Sequence, residues 1–209
     1  MGSCSSGGKG TISGVAKKTQ ATSQKASRGQ VTEKIDNPSN FVANELGISE
    51  DEAKTYLSAL KGYTGDNYYG AIRDAQRGGK QSNKIVQMAN DVETYIDKAP
   101  KWNGGETYRG VMLSKKELNS LSIGTTIDMG GSSSWSSKQS VATKFADKAK
   151  YVRGKNPVVF VSATQKNGTG IRHLSKLKSE EEVLVSKNSK YTIQDIKVSK
   201  GTTYVYVGE

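Results

Sequence analysis

From about residue 41 the chain runs through two hydrophobic rhythms, and the change from one to the other near Gly105 divides it. Ser49-Glu50-Asp51-Glu52 has the form of a capping box, and Ala53, Tyr56, Leu57 and Leu60 follow at helical spacing. The pattern predicts a helix that Gly62 ends. Tyr68, Ile72 and Ala75 predict a second short amphipathic helix, closed by Gly78-Gly79. A third is predicted over 82–99, with Ile85, Met88, Ala89, Val92, Tyr95 and Ile96 on one face and Pro100 as its stop.

Beyond Gly105 the period shortens toward that of strands. Thr107-Tyr108-Arg109-Gly110-Val111 reads as a strand, and Ser114-Lys115-Lys116-Glu117 is a second capping box opening a brief helix. Residues 127–136 give short strand-like pieces broken by glycines. A helix is predicted over 138–149 with Val141, Phe145 and Ala149 inward. The β-branched run Val158, Val159, Phe160 and Val161 predicts a buried strand over 157–164. Residues 183–185, 191–193 and 204–207 complete a mostly antiparallel set. Helices first and strands second predict an α+β fold.

Residues 1–36 follow neither rhythm. They are rich in Ser, Gly, Thr, Lys and Gln, and such a segment cannot bury enough apolar surface to offset its ordering entropy. The expected organisation is therefore a flexible basic arm over 1–36 and one folded domain over 37–209. A hydrophobic content of 33% and a mean hydropathy of −0.64 fit a polar arm diluting a folded unit. No apolar run approaches the ~20 residues that span a bilayer, and no Sec-type signal is visible, so a soluble protein is expected. Met1-Gly2-Ser3-Cys4-Ser5-Ser6 matches a myristoylation pattern with an adjacent palmitoylatable cysteine, a match that Gly/Ser-rich starts produce readily by chance.

The candidate chemistry is narrowed by subtraction. One cysteine, Cys4, leaves no internal disulfide or cysteine metal cluster. One histidine, His173, builds neither a zinc site nor a Ser-His-Asp triad, and reads as a surface residue or a support behind a site. No metal is expected, and carboxylates remain as the catalytic groups. Thirty-one Lys and Arg against 20 Asp and Glu give a net charge of +11, an attraction to polyanions or acidic partners.

Three motifs then stand in order: Tyr108-Arg109-Gly110, Ser134-Trp135-Ser136, and Glu180-Glu181-Glu182 before the apolar Val183-Leu184-Val185. Arginine holds phosphate through a charge-assisted fork. A glutamate supports a sugar as it becomes oxocarbenium-like, and a serine holds that glutamate by a hydrogen bond. Together these residue types suit cleavage of a glycosidic bond in a phosphate-bearing substrate.

With these motifs, and with Ala142-Thr143-Lys144-Phe145-Ala146 after the serines, the chain from about residue 57 onward resembles the mono-ADP-ribosyltransferases of the Arg-Ser-Glu class, arginine-specific branch. Ala59-Leu60-Lys61-Gly62-Tyr63-Thr64-Gly65 resembles that family's opening helix. Trp135 departs from the family's central threonine, while the orienting serine is kept as Ser134. The wording of residues 129–136 is more similar to phage-borne members than to toxins.

The resemblance implies two small, mostly antiparallel sheets around a cleft for NAD+, used as a co-substrate, and transfer of ADP-ribose to arginine of a target protein with some NAD+ glycohydrolase activity. It implies that Glu182 stabilises the ribosyl cation, Ser134 orients Glu182, and Glu180 binds the acceptor guanidinium. Glu180 and Glu182, at i and i+2, are expected on one strand face with Glu181 turned out to solvent. Arg109 is expected on the NAD+ phosphates and the Gly110 backbone on the nicotinamide amide. The loop over 147–156, with Tyr151 and Arg153, stands where the family has its phosphate–nicotinamide loop, so both are expected to bind NAD+. Residues 174–179, with Lys176 and Lys178, should meet the acceptor.

Two other readings stay open: ADP-ribosylation of nucleic acid, which the basic arm could contact, and a phage head-associated structural protein with a vestigial transferase fold. A monomer is expected, in a host cytoplasm or a phage virion, or else delivered as an effector.

Overall fold

The structure, a computed structural model, describes residues 35–65 and 67–209. The proposed arm, apart from Ile35 and Asp36, and the Cys4 motif lie outside the described residues.

Among the described residues four helices come first. α1 (Pro38–Leu46), which the hydrophobic pattern did not mark, is capped by Asn37, whose side chain accepts from the Asn40 amide. α2 (Glu50–Thr64) starts at the expected cap, with Ser49 accepting from the Glu52 amide. The Glu52 carboxylate does not close the box; it accepts instead from Tyr56 and Lys98, pinning α2 to the end of α4. α2 also continues through Gly62 to Thr64. The glycine serves helix packing there, because a Cβ would collide with the end of Met88. α3 (Tyr69–Gln76) and α4 (Asn83–Lys98) lie where the apolar stripes put them, with Ser82 capping α4. Val42, Leu60, Ile72, Val92 and Ile96 are completely buried between these helices, and Ile171, Leu174 and Leu184 extend the same core into the strand half. Burying such side chains contributes about 1.5–3 kcal/mol each, which is what fixes the helices as a layer.

The strands are β1 (Thr107–Ser114), β2 (Thr126–Asp128), β3 (Ser133–Ser136), β4 (Lys155–Ser162), β5 (Gly168–Gly170), β6 (Glu182–Val185), β7 (Lys190–Ser199) and β8 (Thr202–Gly208). The short α5 (Lys115–Asn119) follows β1 and opens with a reciprocal capping box between Ser114 and Glu117. α6 (Gln139–Asp147) follows β3. The expectation of two separate sheets is corrected: the strands form one eight-stranded sheet in the order β2-β7-β8-β4-β1-β3-β6-β5. All pairs are antiparallel except β4 with β8.

The two halves of that sheet are nonetheless unequally joined. β1 pairs with β4 at eight positions but with β3 at one, Tyr108 opposite Ser136. A cavity lined by residues of β1 and β3 lies at this junction.

α6 is turned differently from its expected orientation. Ala142 and Ala146 are its buried residues, while Phe145 is 40% exposed. The cause is Gly110: a Cβ there would fall on the Ala142 carbonyl oxygen and crowd the Ala146 amide. Only a glycine facing alanines allows α6 to lie this close to β1, so Val141 and Phe145 are rolled toward the cavity. Helix packing by itself therefore requires glycine at 110.

Candidate active site

A cavity of about 450 Å³ is bounded by the ends of α2 and α3, by β1, β3 and α6, and by the turn leading into β6. That is within the range of small-molecule sites. Arg109, Gly110, Ser134, Glu180 and Glu182 all line it, so the three motifs, widely separated in sequence, meet in one place. Tyr63, Tyr69, Phe145, Lys148 and Leu177 share the lining.

Glu182 begins β6 and is 4% exposed. Burial raises its carboxyl above the ordinary value, and hydrogen bonds from Ser134 and Ser175 oppose that rise. The neighbouring charge of Glu180 raises it further and Arg109 lowers it. Ser175 donates to Glu182 Oε2 at 3.0 Å. The expected serine is thus in place, accompanied by a second one that the motif comparison missed. Its signal was faint, a lone serine seven residues before a glutamate.

Glu180 and Glu182 do converge, but not as neighbours on a strand face. Residues 178–180 form a 3-10 turn and Glu181 takes a left-handed backbone, φ 46°, so the chain folds back before β6 starts. The turn is fastened from β3: Ser136 Oγ donates to the Glu180 carbonyl at 2.6 Å, and the Ser137 amide donates to the Glu181 carbonyl. Glu181 is not solvated. Its carboxylate pairs with Lys138 at 2.9 Å and Arg172 at 3.1 Å and accepts from Ser137 at 2.8 Å. These partners hold a non-glycine residue in a conformation that costs of order 1–2 kcal/mol. The middle glutamate is the clamp that lets its two neighbours share the cavity.

Arg109 on β1 donates from Nη1 to the Ser134 carbonyl at 2.7 Å. Its Nε is buried with no hydrogen-bond partner among the described residues, an unsatisfied cationic donor beside the cavity. Tyr69 stands between this arginine and Arg73, accepting from Arg73 Nη1 at 2.8 Å. Burial pushes the Tyr69 phenol up, but Arg109 and Arg73 outweigh it and leave the group below its ordinary value. The tyrosine thereby braces Arg109 from the helical layer, a role no motif indicated.

Tyr151 and Arg153 are not brought to the cavity. A 3-10 turn over Lys148–Tyr151 and a tight turn at Gly154, φ 76°, lead straight into β4, and Tyr151 is left 88% exposed. Lys148, earlier in the same segment, lines the cavity in their place, its ammonium 4.5 Å from the Phe145 ring centre. His173 is buried, its ring edge-on to Phe41 at 5.1 Å, on the helical side and outside the cavity lining. Trp135, the departure from the usual motif, is buried against Tyr191 with its indole N–H on Ser133 Oγ; it fills the core behind β3. Among the described residues no group of His, Cys, Asp and Glu could hold a metal ion, and no helix is long and apolar enough to cross a membrane.

No family model matches the chain. It is 32% identical over 171 residues to the NAD(+)–protein-arginine ADP-ribosyltransferase Tre1 of Serratia proteamaculans, a match covering 81% of this chain and 35% of that protein. It is 28% identical over 172 residues to the putative NAD(+)–arginine ADP-ribosyltransferase Vis of Vibrio splendidus, covering 80% of this chain and 65% of the relative. The chain thus spans less than two thirds of the length of either. Among solved structures it is similar to Vis in complex with an inhibitor, with a TM-score of 0.63 and 22% identity over 86% of both chains. It is also similar to Exoenzyme S from Pseudomonas aeruginosa bound to carba-NAD, with a TM-score of 0.61 and 18% identity over 87% of this chain and 85% of that one. The fold is that of the ADP-ribosyltransferases. Both sequence relatives carry that activity in their names.

Proposed function

We propose that this domain transfers ADP-ribose from NAD+ to an arginine of a target protein, and hydrolyses some NAD+ when water takes the acceptor's place. The observation that carries the reading is the meeting of Arg109, Ser134, Glu180 and Glu182 on one cavity. The site's chemistry fits the co-substrate: the Arg109 guanidinium lines the cavity and suits a phosphate oxygen, and Lys148 adds a second cation to the lining. Exoenzyme S, similar in fold, is bound to carba-NAD in its structure.

NAD+ supplies a ribose whose bond to a cationic nicotinamide leaving group breaks without strong acid assistance. Glu182, held by two hydroxyls, places fixed negative charge where positive charge develops on that ribose. Ser134 keeps the carboxylate aimed. Arg109 and Lys148 hold the phosphates and so fix the ribose against Glu182. Glu180, on the opposite side of the Glu181 bend, receives the acceptor guanidinium and eases loss of its proton as it attacks. Both curated relatives carry arginine in their names, and a solved structure of Vis contains agmatine, a small guanidine.

The test is labelled NAD+ with agmatine, and separately with cell lysate with and without nuclease. Label on agmatine and on nuclease-resistant, protease-sensitive material is the expected result. Nuclease-sensitive label would shift the acceptor to nucleic acid, and no turnover of NAD+ in any arm would leave only a vestigial fold.

A further inference from the structure

Ser175 lies between the core residue Leu174 and the cavity-lining Leu177, and its side chain points at Glu182. The residue is 4% exposed. Its amide donates to the Ile171 carbonyl at 2.7 Å, which closes a turn just before the run toward Glu180. Its hydroxyl accepts from the Leu177 amide at 3.2 Å and donates to Glu182 Oε2 at 3.0 Å. A hydroxyl has one proton. With Leu177 occupying a lone pair, that proton is committed to the carboxylate, and the bond is made best to the ionised acid. Leu177, two residues on, is 47% exposed and lines the cavity, and the adjacent Lys176 amide approaches Thr64 Oγ1 of α2 at 3.4 Å.

Resting on the function proposed above, we infer that Ser175 is a second positioning residue for Glu182, and that it couples the carboxylate to the 174–179 segment facing the acceptor. Ser134 reaches Glu182 from β3, within the sheet. Ser175 reaches it from the loop, so a movement of Leu177 that withdraws its amide or shifts its turn is felt directly at Glu182. The acceptor-facing wall and the group that cleaves the donor are joined by a chain of two hydrogen bonds. Acceptor binding and donor cleavage are linked by this geometry, with the loop's resting position already holding Glu182 in place.

The experiment uses the full chain and its Ser175→Ala, Ser175→Thr and Ser134→Ala variants, with NAD+ alone and NAD+ plus agmatine. Besides Ser134 and Ser175, the groups facing Glu182 are Arg109 on β1, Glu180 before β6 and Tyr63 on α2. All three are kept in every variant. Removing one hydrogen bond to a charged group should lower kcat for NAD+ hydrolysis about tenfold with KM for NAD+ little changed. The acidic limb of the pH profile should move up by about one unit, because the ionised acid has lost a donor. Ser175→Thr, which keeps the hydroxyl, should restore both. An unmoved acidic limb in Ser175→Ala, even with activity lowered, overturns the inference and makes Ser175 merely structural. If that variant does not fold, Ser175→Cys carries the same test, since its thiol is similar in shape and a weak donor. A wild-type chain that leaves NAD+ intact would overturn the proposed function instead, so the two failures are distinguishable.

Discussion

Glu182→Gln separates the cost of the site from its use. The side chain is nearly fully buried, and burial is the largest influence on it, lifting its carboxyl above the usual range despite two hydroxyl donors and a nearby arginine. Gln keeps the shape, and both serine hydroxyls can rotate to satisfy an amide, so no cavity or unpaired group is created. What disappears is negative charge facing the ribose. Losing one preorganised group of this kind costs ~2.7–4 kcal/mol of barrier, so hydrolysis and transfer should each fall at least ~100-fold. Stability should move the other way. A carboxyl whose folded pKa is raised contributes fully below its unfolded value, and that contribution is lost as pH rises through the folded value. At pH 7.5 wild type therefore carries the penalty of a buried charge and Gln does not. Thermal melts should place the variant level with wild type or above it at pH 7.5, with any advantage fading as pH falls through the carboxylate range. Activity within a few-fold of wild type would remove Glu182 from the mechanism. A midpoint clearly below wild type at pH 7.5 would show that the charge holds the site together.

Three further outcomes are expected. Glu180→Gln should lose transfer to agmatine while keeping much of the NAD+ hydrolysis, since acceptor activation is separate from donor cleavage; an equal fall in both rates, measured side by side, refutes that division. Gly110→Ala should destabilise by ~1–3 kcal/mol or more, because α6 must back away from β1, and an unchanged melt would mean that the Ala142 contact yields freely. A chain beginning at Asn37, where the α1 cap lies, should melt and hydrolyse NAD+ as the full chain does, with any loss confined to macromolecular targets and mimicked by added salt; insolubility or lost hydrolysis would put the proposed boundary at residue 36 in the wrong place.

What could be read from the sequence was whatever depends on local period and on motif order. The faces of α2 and α4 followed from apolar spacing, and the caps at Ser49 and Ser114 from hydroxyls at helix starts. The expectation that Arg109, Ser134, Glu180 and Glu182 share a site came from motif resemblance, and the cavity brings them together. What escaped depends on partners remote in sequence. Ala149 is buried as expected, but Val141 and Phe145, also expected inward, are turned to the cavity by a glycine some 30 residues earlier. β5, with three residues and two glycines, has no pattern of its own and exists because β6 offers it an edge. Tyr151 and Arg153 were placed by analogy with a loop, and a tight turn into β4 takes them elsewhere.

Glu181 carries the deepest of these differences. Alternation along a strand sends it to solvent and its neighbours to the site, which is the right convergence for the wrong physical reason. The strand begins only at Glu182, and what brings Glu180 alongside is a bend that a β-carbon disfavours. Lys138, Arg172 and Ser137 meet the Glu181 carboxylate from β3's end and from the loop after β5, and Ser136 grips the backbone beside it. The middle residue of the acidic run is therefore paired with structure on both flanks of β6. A carboxylate there orders the two on either side of it, so the triplet functions as two site residues and one clamp, a division that residue type alone does not express.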